Sequence, residues 1–397
     1  MQRRPHANQE FGHNHGVIVA STQPVNTPAT HLPNGPLAGP GRSAAIAQAR
    51  ELVLRQHLPA ATGLTTPWVE RSWQRCLALG LEPGQPVQFD IVTPHQRAQT
   101  QEANQRLLQS ASKIMQGLGK AISNTGYFAI LTNAQGIVLD TSGPIDQGDL
   151  RASLITRIGT DLSERAIGTS AIGTALAELQ PVWLHRGEHF FLDNTHYTCA
   201  GAPLFDPHGQ CMGMLDLTGV DVPERTELKH LVMQSAAQIE NAQVLATPHQ
   251  LMLRLNWPGH GLGSTADALL GLDDDGFVSG ANSVARQIVP GVATGVHAND
   301  LFGLPFQALF DAARRSDTTL DVALRNGLRL RALATRHSHP TTSLRAGSGV
   351  PEGVPMRQMQ ASMIRQAMEQ TGGNVAEAAQ ALGISRATLY RKLGRKG

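Results

Sequence analysis

Apolar residues follow two periods along this chain of 397 residues, and each period predicts a different kind of element. Helical spacing near 103–123 and again over 224–245 brackets a series of short apolar runs that are typical of strands. Turn sequences containing Asn or Asp and Gly, at 133–136 and 206–209, separate some of these runs. The pattern predicts an α+β domain with an antiparallel sheet over 99–245. Its strands are predicted at 127–131, 137–139, 181–184, 199–205 and 212–217.

The segments on either side of this domain have different patterns. Residues 1–42 are rich in Pro, Gly, Asn, Thr and His, which predicts a disordered tail. Residues 43–98 are predicted to be a helical segment, in which Trp73 and Leu77 share one helix face. Residues 246–345 predict a second α+β domain, with strands at 268–272 and 277–278 joined by a turn at 273–276. Residues 346–355 are predicted to be a linker.

The last segment, 356–397, predicts two helices joined by a tight turn. Asn374 and Glu377 have the spacing of a capping box, Gly383 supplies the turn, and Ser385 caps the second helix. From residue 386 to the end there are five basic residues and no acidic one, which is the charge pattern of a helix that contacts phosphates. The predicted phosphate contacts are Arg391, Lys392, Arg395 and Lys396, and the predicted base contacts are Ser385, Arg386, Thr388 and Tyr390.

Composition restricts the function classes. The net charge is only +2, so DNA binding must come from a local patch. Three cysteines that form no CxxC pair favour a reducing cytoplasm. We also expect no membrane segment and no signal peptide, because no apolar run reaches about 18 residues and none follows the N-terminus.

Several motifs resemble known families. The run GGNVAEAAQALGISRATLYRKL is similar to the Fis-type DNA-binding domain of bacterial regulators. The runs VERSWQRCLALGLEP, LSERAIGTSAIGTAL, GEHFF and CAGAPLFDPHGQCMGMLDLTG resemble regulators of the acetoin catabolism type, and the domain around them resembles a GAF sensor domain. Residues 246–345 resemble a PAS domain. These resemblances imply a homodimer that binds double-stranded DNA through its last helix and a small-molecule effector, such as acetoin or a related alcohol or aldehyde, through its sensor.

Regulators of the resembled type carry a central ATPase, and this sequence is not expected to have one. Residues 168–175 have the glycine spacing of a phosphate-binding loop, but Thr174 stands where the lysine is required. We interpret this run as helix packing through small residues. The chain is therefore expected to use no nucleotide or other cofactor. RNA polymerase or another regulator remains open as a partner.

The predicted effector pocket lies in the first α+β domain, with no metal assigned to it. It comprises Trp183, His185, Glu188, His189 and Cys199. Two alternatives start from the same region. One is a metal held by His185, His189, His196 and Cys199, although their spacing matches no zinc pattern. The other is a redox pair, Cys199 and Cys211, on neighbouring strands.

Two other groups of possible metal ligands have more ordinary interpretations. Scattered histidines in the predicted tail are more typical of an unstructured segment than of a metal site; they are His6, His13, His15 and His31. Asp273 to Asp275 are interpreted as a hairpin turn, because the calcium-loop pattern is incomplete.

Taken together, the sequence predicts a multidomain α+β protein with a C-terminal all-α helix-turn-helix. The predicted function is a cytoplasmic, sequence-specific transcriptional regulator without enzymatic activity. The alternatives are a cysteine-based redox sensor or reductase built on the GAF-like domain, and an architectural protein that bends DNA.

Overall fold

A computed structural model describes residues 40–58, 62–315 and 319–336, together with Val375. Two predicted segments, the linker 346–355 and the helix-turn-helix 356–397, lie outside the described residues apart from Val375, and so do the four tail histidines. The helices are α1 (Pro40–Arg50), α2 (Pro67–Ala78), α3 (Pro94–Ala103), α4 (Gln105–Ala121), α5 (Leu150–Ile155), α6 (Glu164–Ile167), α7 (Ala171–Glu178), α8 (Glu227–Ala246), α9 (Ser283–Ile288), α10 (Ala298–Leu301) and α11 (Phe306–Ala313).

The first α+β domain contains the predicted antiparallel sheet. Its strands are β1 (Tyr127–Asn133), β2 (Val138–Ser142), β3 (Val182–His185), β4 (Tyr197–Phe205) and β5 (Cys211–Val220). They are ordered β2-β1-β5-β4-β3, and every neighbouring pair is antiparallel. All five predicted strands are confirmed, with shifted ends. Ile137, for example, lies before β2 and makes an isolated bridge to Asp161.

Both faces of this sheet are buried, because helices cover each of them. Alternate residues of β1 point to opposite faces. Ala129 and Leu131 pack with α4 and α8, whereas Phe128 and Ile130 pack with α2 and α5–α7. An antiparallel sheet between helices, closed by the long helix α8, is the arrangement that the resemblance to GAF domains implies.

The N-terminal helical segment is part of this domain rather than a separate unit. Val53, Val69 and Trp73 are fully buried in the same core as Phe128 and Ile130. Helix α1 begins at Pro40, so the predicted tail boundary at 42 is wrong by three residues. Local composition could not reveal this, because the residue that fixes the start of α1, Arg42, is held by partners more than a hundred residues away.

The second domain also contains a five-stranded antiparallel sheet. Its strands are β6 (Leu251–Asn256), β7 (Ala268–Leu272), β8 (Val278–Ala281), β9 (Leu320–Ala323) and β10 (Arg329–Arg336), ordered β8-β7-β6-β10-β9. The predicted β7–β8 hairpin is confirmed, and strands β6, β9 and β10 were not predicted. In the β7–β8 turn, Asp273 Oδ1 accepts hydrogen bonds from the amides of Asp275 and Phe277, at 3.1 and 2.8 Å, so this carboxylate stabilises the turn. The PAS resemblance stays a prediction.

The β4–β5 hairpin and α8 contact the second domain. Glu240 of α8 accepts hydrogen bonds from the amides of Phe205, at 3.0 Å, and Ser283, at 3.4 Å. Arg286 of α9 donates to the carbonyl of Pro207 at 2.6 Å. These bonds tie the end of β4 to the start of α9. None of the helices in the described ranges is long and apolar enough to span a bilayer.

Candidate functional site

A small cavity lies between the first sheet and the helices α5–α7. Its volume is about 20 Å³, which is room for about one water molecule. Most of its lining is apolar, but strands β4 and β5 add several polar side chains. The lining residues are Ile130, Ile155, Leu162, Ile167, Ser170, Ala171, Ile172, His189, Asn194, Tyr197, Cys199, Asp216 and Thr218.

Four of these side chains form a continuous polar chain inside the protein. The β4–β5 register places Cys199 opposite Thr218, two pairs along from Asp216 and therefore on the same face of the sheet. Thr218 Oγ1 is hydrogen-bonded to Asp216 Oδ2 and lies 3.2 Å from Cys199 Sγ. Cys199 Sγ lies 3.5 Å from His189 Nε2, and His189 Nδ1 lies 2.9 Å from the carbonyl oxygen of Arg186.

Each hydrogen bond between these four side chains has one donor and one acceptor when all four side chains are neutral. His189 Nδ1–H donates to the carbonyl of Arg186, which leaves Nε2 as an acceptor for the Cys199 thiol. Thr218 has a single hydroxyl hydrogen. If it donates to Cys199, a protonated Asp216 must donate to Thr218.

Burial favours the same neutral forms, because a low-dielectric interior disfavours charge. Burial raises the pKa of Asp216 to about 7 and lowers the pKa of His189 to about 4. It also raises the pKa of the Cys199 thiol, with the nearby Asp216 adding to the effect.

The second oxygen of Asp216 is the unusual feature of the cavity. Asp216 is 1% exposed, and its Oδ1 has no hydrogen-bond partner among the described residues. The residue opposite is Gly201, where an added Cβ would lie 3.4 Å from that oxygen. A buried oxygen without a partner is costly, so it is a candidate for binding a ligand hydroxyl or a water molecule.

The predicted pocket residues divide into two groups. His189 and Cys199 line the cavity, whereas Trp183, His185 and Glu188 have other partners. The Trp183 ring lies under the Lys229 ammonium, His185 Nδ1 is 3.0 Å from Thr198 Oγ1, and Glu188 binds Arg42. Asp216 and Thr218 were missed, although a single Asp within the apolar run 212–217 was a visible signal.

The predicted DNA-binding residues Ser385, Arg386, Thr388, Tyr390, Arg391, Lys392, Arg395 and Lys396 lie outside the described residues.

Two family models match the chain. Residues 355–395 match the Fis family of bacterial regulatory proteins, and residues 45–241 match the MimR N-terminal domain. The chain thus contains a MimR-type N-terminal domain and a Fis-family regulatory segment.

Two curated relatives illustrate the similarity. The acetoin catabolism regulatory protein of Cupriavidus necator is 32% identical over 250 residues, which is 62% of this chain and 37% of that protein. The propane 2-monooxygenase operon transcriptional activator MimR of Mycolicibacterium goodii is 28% identical over 158 residues, 38% of this chain and 25% of that protein. The chain thus spans about a third of the length of the curated relatives that it matches.

Among solved structures, the E. coli DhaR(N)–DhaL complex aligns with a TM-score of 0.42 and 16% identity. The alignment covers 68% of this chain and all of that one.

The MimR-type domain match includes α1 and α2, and the structure shows what these helices hold. Arg50 at the end of α1 donates to the backbone carbonyls of Gly187, His189 and Phe190, at 2.5–2.9 Å. Trp73 Nε1 donates to the carbonyl of Glu188 at 2.8 Å. Helices α1 and α2 thereby fix the loop that carries His189 into the cavity.

Two of the sequence runs that resemble acetoin-type regulators, VERSWQRCLALGLEP and LSERAIGTSAIGTAL, contact each other in the MimR-type domain. In the first, Ser72 Oγ lies 2.6 Å and Arg75 Nη2 2.7 Å from Glu164 Oε1. Glu164 belongs to the second run, which contains the glycine pattern 168–175. There, an added Cβ on Gly173 would lie 2.6 Å from the Glu164 amide, and Thr174 is fully buried. The interpretation of this run as helix packing through small residues is confirmed.

The two alternatives for the MimR-type domain lack the geometry that they need. His196 is on the surface and pairs with Asp221 at 2.9 Å, away from the buried His189 and Cys199. No group of three or more His, Cys, Asp or Glu residues in the described part of the chain is arranged to hold a metal ion.

Cys199 and Cys211 are on neighbouring strands, but Cys211 faces Phe205, six residues along β4 from Cys199. At about 3.3 Å per residue this separation is about 20 Å, far beyond disulfide reach.

Proposed function

We propose that this protein is a transcriptional regulator that binds a small uncharged effector at Asp216 and binds DNA through its Fis-family segment. The observation that carries the effector site is the unpartnered Oδ1 of Asp216 in a largely apolar cavity. The match of residues 355–395 to Fis-family regulators supports DNA binding. The regulators among the relatives support a role in transcription.

The lining of the cavity restricts the chemistry of the effector. No lysine or arginine is among the described residues that line it, so an anionic ligand would lose its hydration without gaining a counter-charge. Apolar walls with one carboxyl group suit a molecule of a few heavy atoms that carries a hydroxyl or carbonyl group. Since the volume is about 20 Å³, such a ligand must displace any water and move the walls outward.

The first probe is acetoin, a small uncharged hydroxyketone that occurs in the name of one relative. We expect acetoin and 2-butanol to raise the melting temperature of the full chain, because a ligand that binds only the folded state stabilises it. Acetate serves as the small anionic comparison and should have no such effect.

Two variants assign the ligand effect to the cavity. Asp216→Ala should abolish the stabilisation by the uncharged ligands. Asp140→Ala, at a half-buried carboxyl group on β2 outside the cavity, should retain it. If acetate stabilised the protein as well as acetoin does, or if Asp216→Ala responded like the wild type, the assignment of the effector site would be wrong.

The DNA-binding half of the proposal follows the sequence. Ser385, Arg386, Thr388 and Tyr390 are proposed to contact bases, and Arg391, Lys392, Arg395 and Lys396 to contact phosphates. In a homodimer the two recognition helices would face half-sites about 34 Å apart. We further propose that the protein acts without its own ATPase, because none of the glycine pairs with the spacing of a phosphate-binding loop, such as Gly168 and Gly173, is followed by the required lysine.

A further inference from the structure

An open groove lies on the surface next to the cavity. It has a volume of about 840 Å³ and is bordered by the segment 146–154 on one side and 192–197 on the other. Leu150 and Leu192, which are 69% and 56% exposed, flank it, and Val87 and Phe89 contribute further apolar surface. Charged side chains, among them Asp146, Asp149, Arg151 and Asp193, also line the groove, so it is an open path of mixed polarity that a small hydrated molecule can enter.

Asn194 and Tyr197 line both the groove and the cavity. Both side chains are buried, and both are held by backbone carbonyls. Asn194 Nδ2 donates to Ile167 at 2.9 Å, and the Tyr197 hydroxyl donates to Arg151 at 3.2 Å. These two side chains therefore stand between solvent in the groove and the interior space at Asp216.

Helix α5, to which the Tyr197 hydroxyl is bonded, is weakly anchored. Of its six residues, only Ala152 and Ile155 are buried. Its Arg151 side chain pairs with Asp221 at 3.2 Å and with Asp149 at 3.4 Å, and all three partners are partly exposed. Elements with few buried apolar side chains and solvent-exposed ion pairs are those that open locally without global unfolding.

We propose that Tyr197 and Asn194 are the gate of the cavity, and that displacement of α5 opens it to small uncharged molecules. This proposal rests on the proposed function of the cavity as a ligand site. The hydrogen bond from the Tyr197 hydroxyl to the Arg151 carbonyl keeps the gate closed, and the ion pair from Arg151 to Asp221 holds α5 against the end of β5. A ligand enters between α5 and the start of β4, passing through the groove.

The thiol of Cys199 allows a test that needs no effector. Methyl methanethiolsulfonate is a small, uncharged reagent that must reach the cavity to modify Cys199, whereas the half-buried Cys211 lies elsewhere on the sheet. Peptide mass spectrometry of the full chain gives the modification rate of each cysteine separately. Cys211 thus serves as an internal reference.

We expect Tyr197→Phe to raise the rate at Cys199 about three- to ten-fold, because one hydrogen bond that keeps the gate closed is lost. Arg151→Ala, which removes the partly exposed partner of Asp221, should act in the same direction. The rate at Cys211 should not change in either variant.

Two matched controls separate gate opening from global unfolding. Tyr127 is also buried and its hydroxyl also donates to a carbonyl, that of Pro223 at 2.9 Å, but it lies on the opposite face of the sheet. Arg225 forms a comparably exposed ion pair with Glu227. Tyr127→Phe and Arg225→Ala should leave the Cys199 rate unchanged.

Equal acceleration by Tyr197→Phe and Tyr127→Phe, or no acceleration by Tyr197→Phe and Arg151→Ala, would overturn the gate. The result is independent of the effector. If Cys199 were modified faster in the gate variants but the protein bound none of the uncharged ligands, the result would count against the proposed function alone. Ligand binding with an ungated Cys199 would count against the gate alone.

Discussion

Asp216 lies in the interior of the sheet, where a carboxyl group is far from its ordinary environment in water. Its neighbours on the same face are apolar or neutral, and no cation faces it from the residues that line the cavity. The protonated form is therefore favoured, and burial raises the pKa to about 7. A neutral carboxyl group can donate one hydrogen bond and accept another, which suits recognition of a hydroxyl or carbonyl group.

This pKa predicts how stability depends on pH. Between the ordinary Asp value near 4 and about 7, the unfolded chain loses this proton while the folded protein keeps it. The free energy of unfolding should therefore fall as pH rises across this window and then level off. Asp216→Asn, which cannot ionise, should remove that contribution and stabilise the protein at pH 8 by up to about 4 kcal/mol.

Urea unfolding at pH 5 and pH 8 measures this effect. The control is Asp311→Asn, at an exposed carboxylate on α11, which should shift both values by less than about 0.5 kcal/mol. If Asp216→Asn left the pH dependence unchanged, Asp216 would be ionised in the folded protein. The assignment of neutral forms to the four hydrogen-bonded side chains would then be wrong.

At the scale of elements, the N-terminal helix α1 anchors the loop that completes the cavity. The Arg50 guanidinium satisfies three backbone carbonyls of residues 187–190, and burial lowers its pKa to about 10. Removing it leaves these carbonyls without their donor in a partly buried position.

We predict that Arg50→Ala lowers the free energy of unfolding by about 2–4 kcal/mol. The matched control is Arg55→Ala, five residues along the same segment, where the arginine is 80% exposed and pairs with Glu51. That change should cost less than about 0.5 kcal/mol. Urea unfolding of the two variants gives the comparison, and similar losses from both would show that α1 does not anchor the loop.

How far the sequence predicts these elements depends on whether the signal is local. The strands β1 to β5 and the helix α8 have strong periodicity, and the sequence locates all of them. Strand β6 was missed because Met252 interrupts the alternation of Leu251, Leu253 and Leu255 with polar residues, and because one of its two partner strands, β10, is about 80 residues away.

The candidate site is predictable only in part for the same reason. The sequence places His189 and Cys199 in a pocket. The register of β4 and β5 determines which side chains share a face of the sheet. It places Cys199 opposite Thr218 and Gly201 opposite Asp216, and the sequence alone does not reveal it. The partners of Arg42 and Arg50 are likewise set by the tertiary fold.

At the scale of the whole molecule, one chain contains the MimR-type domain with the cavity and the Fis-family segment. On the sensor side, β4 carries Cys199 at the cavity, and its far end reaches the second domain through Phe205 and Glu240. On the DNA side, the residues near the start of the recognition helix are proposed to read bases and the later ones to contact phosphates.

This division of roles predicts different effects for the replacement of one arginine and of one lysine. Arg386→Ala should weaken binding to the cognate DNA by about 1–3 kcal/mol and leave binding to random DNA nearly unchanged. Lys392→Ala should weaken binding to both DNAs alike and reduce the salt dependence by about one counterion. Binding isotherms at several salt concentrations distinguish the two, and equal effects of both changes on both DNAs would contradict the assigned roles.

The most direct measurement is fluorescence anisotropy of the full chain on DNA from upstream of its own gene, compared with random DNA of equal length at near-physiological salt. The account predicts a preference of about a thousand-fold or more, lost when residues 351–397 are removed. Equally weak binding to both DNAs, or a preference that survives the removal of residues 351–397, would contradict the central claim that this protein is a sequence-specific regulator.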